Sequence, residues 1–234
     1  MAGAIAELLR THDVAQKLVA AKFEKDHPEL GYAEHLEPKH YSLLLAAFEG
    51  DIKGLEHARE QGKLTYDADA DDYEYGDLYR EFEELHEYLY VFATKGDQVI
   101  VLSWLKQQEY FYGLLCVDGL ELEFIAAKYG CIGALEWLDS ERALRHDDQW
   151  KHVGMLAAEH GHLEVVKLTF TKVDIDDYHA YYDQYKIVHD YDDDPLSYES
   201  ECTWKQAVIL KASRKGHEDI VSWVEEFHSI AQVV

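Results

Sequence analysis

Residues 157–168 read AAEHGHLEVVKL, a short segment with three distinct parts. It begins with a pair of alanines, which are small enough to let a neighbouring helix approach closely. Gly161 follows, and glycine ends a helix at little cost because it adopts the left-handed backbone conformation without steric penalty. The last part spaces its apolar residues as on one face of a helix: Val165, Val166 and Leu168. The segment therefore predicts a helix, a tight turn and a second helix.

The same order of small residues, glycine and apolar helix occurs five times along the chain. The copies lie at residues 46–52, 92–97, 126–132, 157–166 and 212–221, and their glycines are 46, 34, 31 and 55 residues apart. A helix pair this short cannot bury its own apolar face, so neighbouring pairs must stack to form a continuous core. We therefore predict an all-α fold, an α-solenoid of about five helix-pair repeats.

Residues 157–168 and 216–221 closely resemble the second half of an ankyrin repeat, and the two middle glycine spacings bracket the ~33-residue period of that family. The resemblance covers residues 41–229 but lacks the Thr-Pro-Leu-His opening of the family. It implies an ankyrin-like solenoid, with residues 1–40 as an N-terminal helical cap and residues 41–234 as the repeat array. It also implies that ligands meet the concave face formed by the loops and the first helices.

The two long glycine spacings mark acidic insertions, at about residues 63–87 and 171–203. Residues 66–90 contain ten acids, one basic residue and six tyrosines, and residues 173–201 contain the same numbers again. These two segments carry −18 of the formal net charge of −25. In the first insertion Leu78, Phe82 and Leu85 lie at helical spacing, and we expect Asp77 to cap that helix.

Tyrosine beside aspartate is a chemistry suited to binding a basic protein. Carboxylates pair with arginine, and tyrosine rings offer contact area and cation–π interactions. We therefore predict a non-enzymatic protein–protein interaction module or adaptor whose insertions bind a basic protein partner. The residues expected to contact it are Asp69, Asp71, Asp72, Tyr73, Tyr75, Asp177, Tyr181, Tyr182, Asp192 and Asp193.

Other interpretations of the insertions remain open. They can be solvated loops without a partner. The chain can instead be a permanent structural subunit of a larger assembly, with its insertions ordered by neighbouring subunits. It can also be a nucleic-acid-mimicking inhibitor of a DNA-binding protein, although mimicry needs carboxylates spaced regularly on a rigid surface and aspartate loops supply this poorly.

The overall composition narrows the partners and the location. The negative charge disfavours direct binding to nucleic acid and to anionic membranes, because like charges repel. No run approaches the ~18 apolar residues of a membrane helix, and the start of the sequence lacks the basic leading segment of a signal peptide. Three cysteines without disulfide or metal spacing favour reduced thiols. We expect a cytoplasmic or nuclear protein that is not secreted. The sequence leaves its oligomeric state open and favours a monomer.

No pattern in the sequence predicts a metal site. Residues 67–72 begin like a calcium-binding loop, but its sixth and twelfth positions, which need glycine and glutamate, are Asp72 and Leu78. Some histidines follow the repeat turns, where histidines of the ankyrin family bond the backbone between repeats more often than they bind metal. We expect that structural role for His160, His162 and His217.

Catalysis has no support in the sequence either. It contains no Gly-x-Ser-x-Gly elbow, no phosphate-binding glycine loop and no dinucleotide fingerprint, so we predict no enzyme and no cofactor. Trp104, Trp137 and Trp223 lie at matching repeat positions and are expected to pack. Trp150 and Trp204 are expected to precede repeat helices, with one of them exposed at an interface.

Overall fold

The computed structural model describes residues 40–64, 75–108, 121–141, 144, 147–173 and 203–231, with helical side chains described except at 75–84 and 228–231. These residues contain ten α-helices and no β-strand, which confirms the all-α prediction for this part of the chain. In chain order the helices are α1 (Tyr41–Glu49), α2 (Ile52–Glu60), α3 (Tyr75–Lys95), α4 (Val99–Gln107), α5 (Leu122–Tyr129), α6 (Ile132–Ser140), α7 (Asp147–His160), α8 (Leu163–Phe170), α9 (Trp204–Lys215) and α10 (Glu218–Ala231).

The chain divides into two compact units, Met1–Leu120 and Glu121–Val234. In the first unit α1 packs against α2 and α3, while α4 packs against α3 and touches α2. The interior of this unit consists of large side chains that are almost completely buried: Leu44, Leu55, Leu85, Leu89, Phe92 and Leu102.

The second unit contains three helix pairs, each formed by two consecutive helices. Helices α5 and α6, α7 and α8, and α9 and α10 pack together within the pairs. The first helices also pack from pair to pair, α5 against α7 and α7 against α9, while α8 contacts α10. Consecutive helix pairs therefore stack inside this unit, and the apolar faces that one pair cannot bury are covered by the next.

All five turns between the helices of a pair share one backbone hydrogen bond. In each, an N–H donates to the carbonyl oxygen five residues earlier, which satisfies a carbonyl that the helix end would otherwise leave without a partner. The bonds run from Asp51 to Ala46, Gln98 to Ala93, Cys131 to Ala126, His162 to Ala157 and His217 to Ala212, at 2.8 to 3.0 Å. The repeated sequence pattern thus corresponds to a repeated local structure.

The second turn departs from the predicted register by one residue. We expected Gly96 to close its helix, but the residue with the left-handed backbone is Asp97, with φ 53°. Gly96 serves a different purpose, because a Cβ there would overlap the backbone carbonyl oxygen of Phe48 in α1. The glycine is needed for the close approach of α1 and α3, and aspartate tolerates the left-handed conformation better than most residues.

Helix α3 joins part of the first insertion to a repeat helix without a break. Its 21 residues include both the helix expected near Asp77 and the first helix of the second repeat. The helix begins at Tyr75, so the expectation that Asp77 is its N-cap is wrong. Asp77 lies in the first turn instead. From Leu85 onward the helix is packed into the first unit, so this end of the insertion is part of the core.

The expectation for two of the tryptophans is also wrong. Trp150 lies within α7 and Trp204 is the first residue of α9, and their side chains are only 4% and 6% exposed. The indole Nε1–H of Trp204 donates to the carbonyl oxygen of Lys151 at 2.8 Å. The Trp204 ring therefore packs against the preceding helix pair, where its buried N–H has a backbone acceptor.

Several predictions concern residues outside the part of the chain that the structure describes. Apart from His40, the expected N-terminal cap lies outside the described residues, as do residues 65–74 and 174–202 of the insertions. Among the helices that the structure describes, none combines the length and the apolar character needed to cross a membrane.

Candidate functional site

The residues predicted to contact a partner lie almost entirely outside the described part of the chain. Tyr75 is the exception, as the first residue of α3, and only its backbone is described. The other nine are Asp69, Asp71, Asp72, Tyr73, Asp177, Tyr181, Tyr182, Asp192 and Asp193. The described residues instead show the turns next to the insertions and the charged groups around them.

Histidines connect successive helix pairs of the second unit through the backbone. The Nε2–H of His162 donates to the carbonyl oxygen of Lys128 at 2.8 Å, and that of His217 donates to the carbonyl oxygen of Glu159 at 3.1 Å. A carbonyl can only accept, so Nε2 carries the proton in both rings. The prediction that these two histidines bond backbone between repeats is confirmed.

Each of these rings also lies against the glycine of the preceding turn. A Cβ on Gly130 would come within 2.6 Å of the His162 ring, and one on Gly161 within 2.7 Å of the His217 ring. In the first unit the side chain of Gln98 occupies the equivalent place against Gly50. The turn glycines therefore serve both the turn and the contact between pairs.

Replacing Gly161 by alanine is expected to destabilise the protein by about 1 kcal/mol more than replacing Gly216 by alanine. The two glycines have the same backbone conformation, φ 81° and 79°, so both variants carry the same left-handed strain. Only the Gly161→Ala side chain meets a neighbour, and the His217 ring must leave its hydrogen bond to make room. The measurement is urea unfolding of both variants, and equal losses of stability would contradict this assignment.

Basic side chains surround the C-terminal end of α7. Glu159 forms ion pairs with two lysines of α9, Lys211 (Nζ to Oε2, 3.2 Å) and Lys215 (Nζ to Oε1, 3.6 Å). The Glu159 side chain is 18% exposed and that of Lys215 is 55% exposed. We use the name cationic patch for the basic residues at these helix ends: Lys128, Lys211, Arg214 and Lys215.

The exposed His160 lies within reach of the same charges. Partial burial lowers its pKa, Glu159 raises it, and the positive charges of Lys128 and Lys215, together with His162, lower it. These groups come from the ends of α5, α7 and α9 and from the turn after α7. The first helix of each pair, α5, α7 and α9, thus brings the charges at its C-terminal end close to those of the others.

A second titratable group is buried in the first unit. His86 of α3 lines a cavity of about 20 Å³, roughly the space of one water molecule. Arg59, Trp104 and Gln108 line the same cavity, and Arg59 Nη1 donates to Gln108 Oε1 at 2.8 Å. Burial lowers the pKa of His86 to about 4. The imidazole is therefore neutral at physiological pH.

Glu123 and Cys131 are two further titratable groups that the structure describes in the second unit. Burial raises the pKa of Glu123, whose Oε1 accepts a bond from Gln149 Nε2 at 3.2 Å. The thiol of Cys131 is buried in the turn between α5 and α6 and forms no disulfide. Among the described residues, no three histidine, cysteine, aspartate or glutamate side chains are grouped so that they could hold a metal ion.

The cationic patch was not predicted from the sequence. A signal for it was present, because the twelve residues of α9 include four basic residues and no acidic one, in a chain with 47 acids and 22 lysines and arginines.

The chain matches no family model, no curated protein and no solved structure. The likeness of its turns to the ankyrin family therefore stays a proposal.

Proposed function

We propose that the chain is an ankyrin-type repeat protein that acts as a non-enzymatic binding module for a basic protein. The observation that carries the proposal is the concentration of −18 of the −25 formal charge in two tyrosine-rich segments, residues 66–90 and 173–201. Charge spread over every repeat would serve solubility alone, whereas charge gathered in two segments favours recognition of an oppositely charged surface.

The described turns support the ankyrin-type part of this proposal. Five of them share the same backbone hydrogen bond, and in the second unit the helix pairs stack through their first helices. His162 and His217 bond the backbone of the preceding pair, as expected for turn histidines of that family. These features agree with the sequence resemblance over several repeats.

The fold also supports a binding role by giving the insertions firm anchors. The first insertion ends in α3, where most residues from Leu85 to Lys95 are buried. The second ends at Thr203, which caps α9 with its side chain. A loop held at a rigid helix end loses less entropy on binding than a free chain does. The aspartates would pair with arginine and lysine of the partner, and the tyrosine rings would supply contact area.

The test replaces three acids of the first insertion, in the variant D69N/D71N/D72N. We expect it to bind a labelled oligoarginine peptide about tenfold more weakly at low ionic strength, because three exposed ion pairs are lost. Far-UV circular dichroism should be unchanged, because asparagine keeps the size and shape of aspartate. The measurement is fluorescence anisotropy, repeated at increasing salt, which should weaken binding.

The matched control is E49Q/E56Q/E136Q, which removes the same number of charges from exposed positions outside the insertions. It should bind the peptide almost as well as the wild-type chain. An equal loss in both variants would show that total charge alone attracts the peptide and would refute a site in the insertion. A purified chain that is monomeric at micromolar concentration would favour this module over the permanent-subunit alternative.

A further inference from the structure

Helix α9 is basic in a strongly acidic chain. Its twelve residues carry Lys205, Lys211, Arg214 and Lys215 and no aspartate or glutamate. Lys128 adds a further positive charge at the end of α5, and both Lys128 and Arg214 are exposed.

Hydrogen bonds link the ends of α5, α7 and α9, because the His162 ring bonds the carbonyl oxygen of Lys128 and the His217 ring bonds that of Glu159. Lys211 and Lys215 are one helical turn apart, and their ammonium groups contact the two oxygens of the Glu159 carboxylate. Lys128 and Lys215 both act on His160, whose pKa they lower. The cationic patch is therefore one local group of charges drawn from two different helix pairs.

A lysine side chain is not needed to cap the ends of α5 and α7. Cations near a helix C-terminus offset its dipole and satisfy its last carbonyls. At the ends of α5 and α7 the turn hydrogen bonds already satisfy carbonyls, and the histidine rings bond two more, those of Lys128 and Glu159. The ends of these helices are thus capped without a lysine side chain.

We propose that the cationic patch is a second binding surface of this protein and that it takes a short acidic segment of a partner protein. The contact with Glu159 shows the geometry of such recognition, because the ammonium groups of two lysines one turn apart bind the two oxygens of one carboxylate. A long polyanion such as nucleic acid fits less well, because it would extend from this small patch over a chain of charge −25 and be repelled there.

The experiment uses the full-length chain and a labelled oligoglutamate peptide at low ionic strength. The variant K128Q/K215Q removes two lysines that flank His160, and we expect it to bind the peptide about fivefold more weakly. The control K53Q/K106Q removes two exposed lysines of the first unit and leaves the same net charge. It should bind as the wild-type chain does, and added salt should weaken binding by all three proteins.

An NMR titration of His160 provides a check on the geometry. Its pKa should rise in K128Q/K215Q and stay unchanged in K53Q/K106Q, because only the first variant removes positive charges near the ring. The proposal is overturned if oligoglutamate does not bind, if both lysine variants lose affinity equally, or if single-stranded DNA of equal charge binds as tightly. None of these outcomes bears on the insertions, which are tested with a basic peptide.

Discussion

Substitution of Gly96 by alanine is expected to lower the free energy of unfolding by about 3 kcal/mol. The new Cβ would overlap the carbonyl oxygen of Phe48, which is a backbone atom of α1 and cannot rotate away. Helices α1 and α3 would have to separate, which would loosen the packing around Ala47, Phe92 and Ala93, all fully buried. Urea unfolding monitored by circular dichroism measures the loss.

Gly54 provides the matched control for this substitution. A Cβ on Gly54 would also meet an atom at close range, but that atom is the side-chain carboxylate of Asp51, which can turn aside. Gly54→Ala would lose the cap bond from Gly54 N to Asp51 Oδ1 and gain up to about 1 kcal/mol of helix propensity. We expect a net change near zero. Similar losses for the two variants would mean that the backbone contact at Gly96 does not limit the packing.

Acidification is expected to destabilise the first unit through His86. In the unfolded chain this histidine takes up a proton near its ordinary pKa of 6.5, whereas burial lowers the pKa in the folded protein to about 4. Between these values the unfolded state binds more protons, so stability falls as the pH falls. A protonated imidazole would stay buried in the folded protein, and burial disfavours the charged form.

The loss attributable to His86 is about 2 kcal/mol between pH 7 and pH 5, a range above the ordinary pKa of most carboxylates. Urea unfolding at the two pH values measures it, and H86L isolates it, because leucine does not titrate and can fill the same apolar surroundings. In H86L the difference between the two pH values should shrink by this amount.

A control at an exposed histidine tests whether the acid sensitivity comes from the burial of His86 or from the loss of any histidine. H57L removes a ring whose side chain is 69% exposed, in the same unit, and should keep the wild-type loss on acidification. If H86L and H57L both keep the full loss, the burial of His86 is not the cause of the acid sensitivity.

The helical class and the positions of the turns were predictable from local sequence. An alanine five residues before each turn donor, a residue that can take a left-handed backbone and an apolar helix face are all encoded within a dozen residues. The bonds of His162 and His217 followed from their places after those turns. The local pattern did not decide which residue of the second turn takes the left-handed backbone, because Gly96 and Asp97 are adjacent there. Only the approach of α1 shows that the glycine is needed for packing and the aspartate for the turn.

One of the two candidate sites was predicted from the sequence, and the other is seen only in the tertiary structure. Charge clustering in the insertions is a property of the sequence, and nine of the ten residues predicted there lie outside the described part of the structure. The cationic patch combines Lys128, Lys211 and Lys215, which are more than 80 residues apart at the extremes. Residues so far apart in the chain are brought together only by the packing of α5, α7 and α9.

By itself, the sequence determined that this chain is helical, where its helix pairs turn, and that its negative charge is concentrated in two segments. Each of these follows from neighbouring residues, whose spacing controls local hydrogen bonds and local charge. The buried state of Trp150, Trp204 and His86, the role of Gly96 and the existence of the cationic patch depended on the tertiary structure. These features arise from contacts between separate helices, and such contacts are set by how whole helix faces fit together.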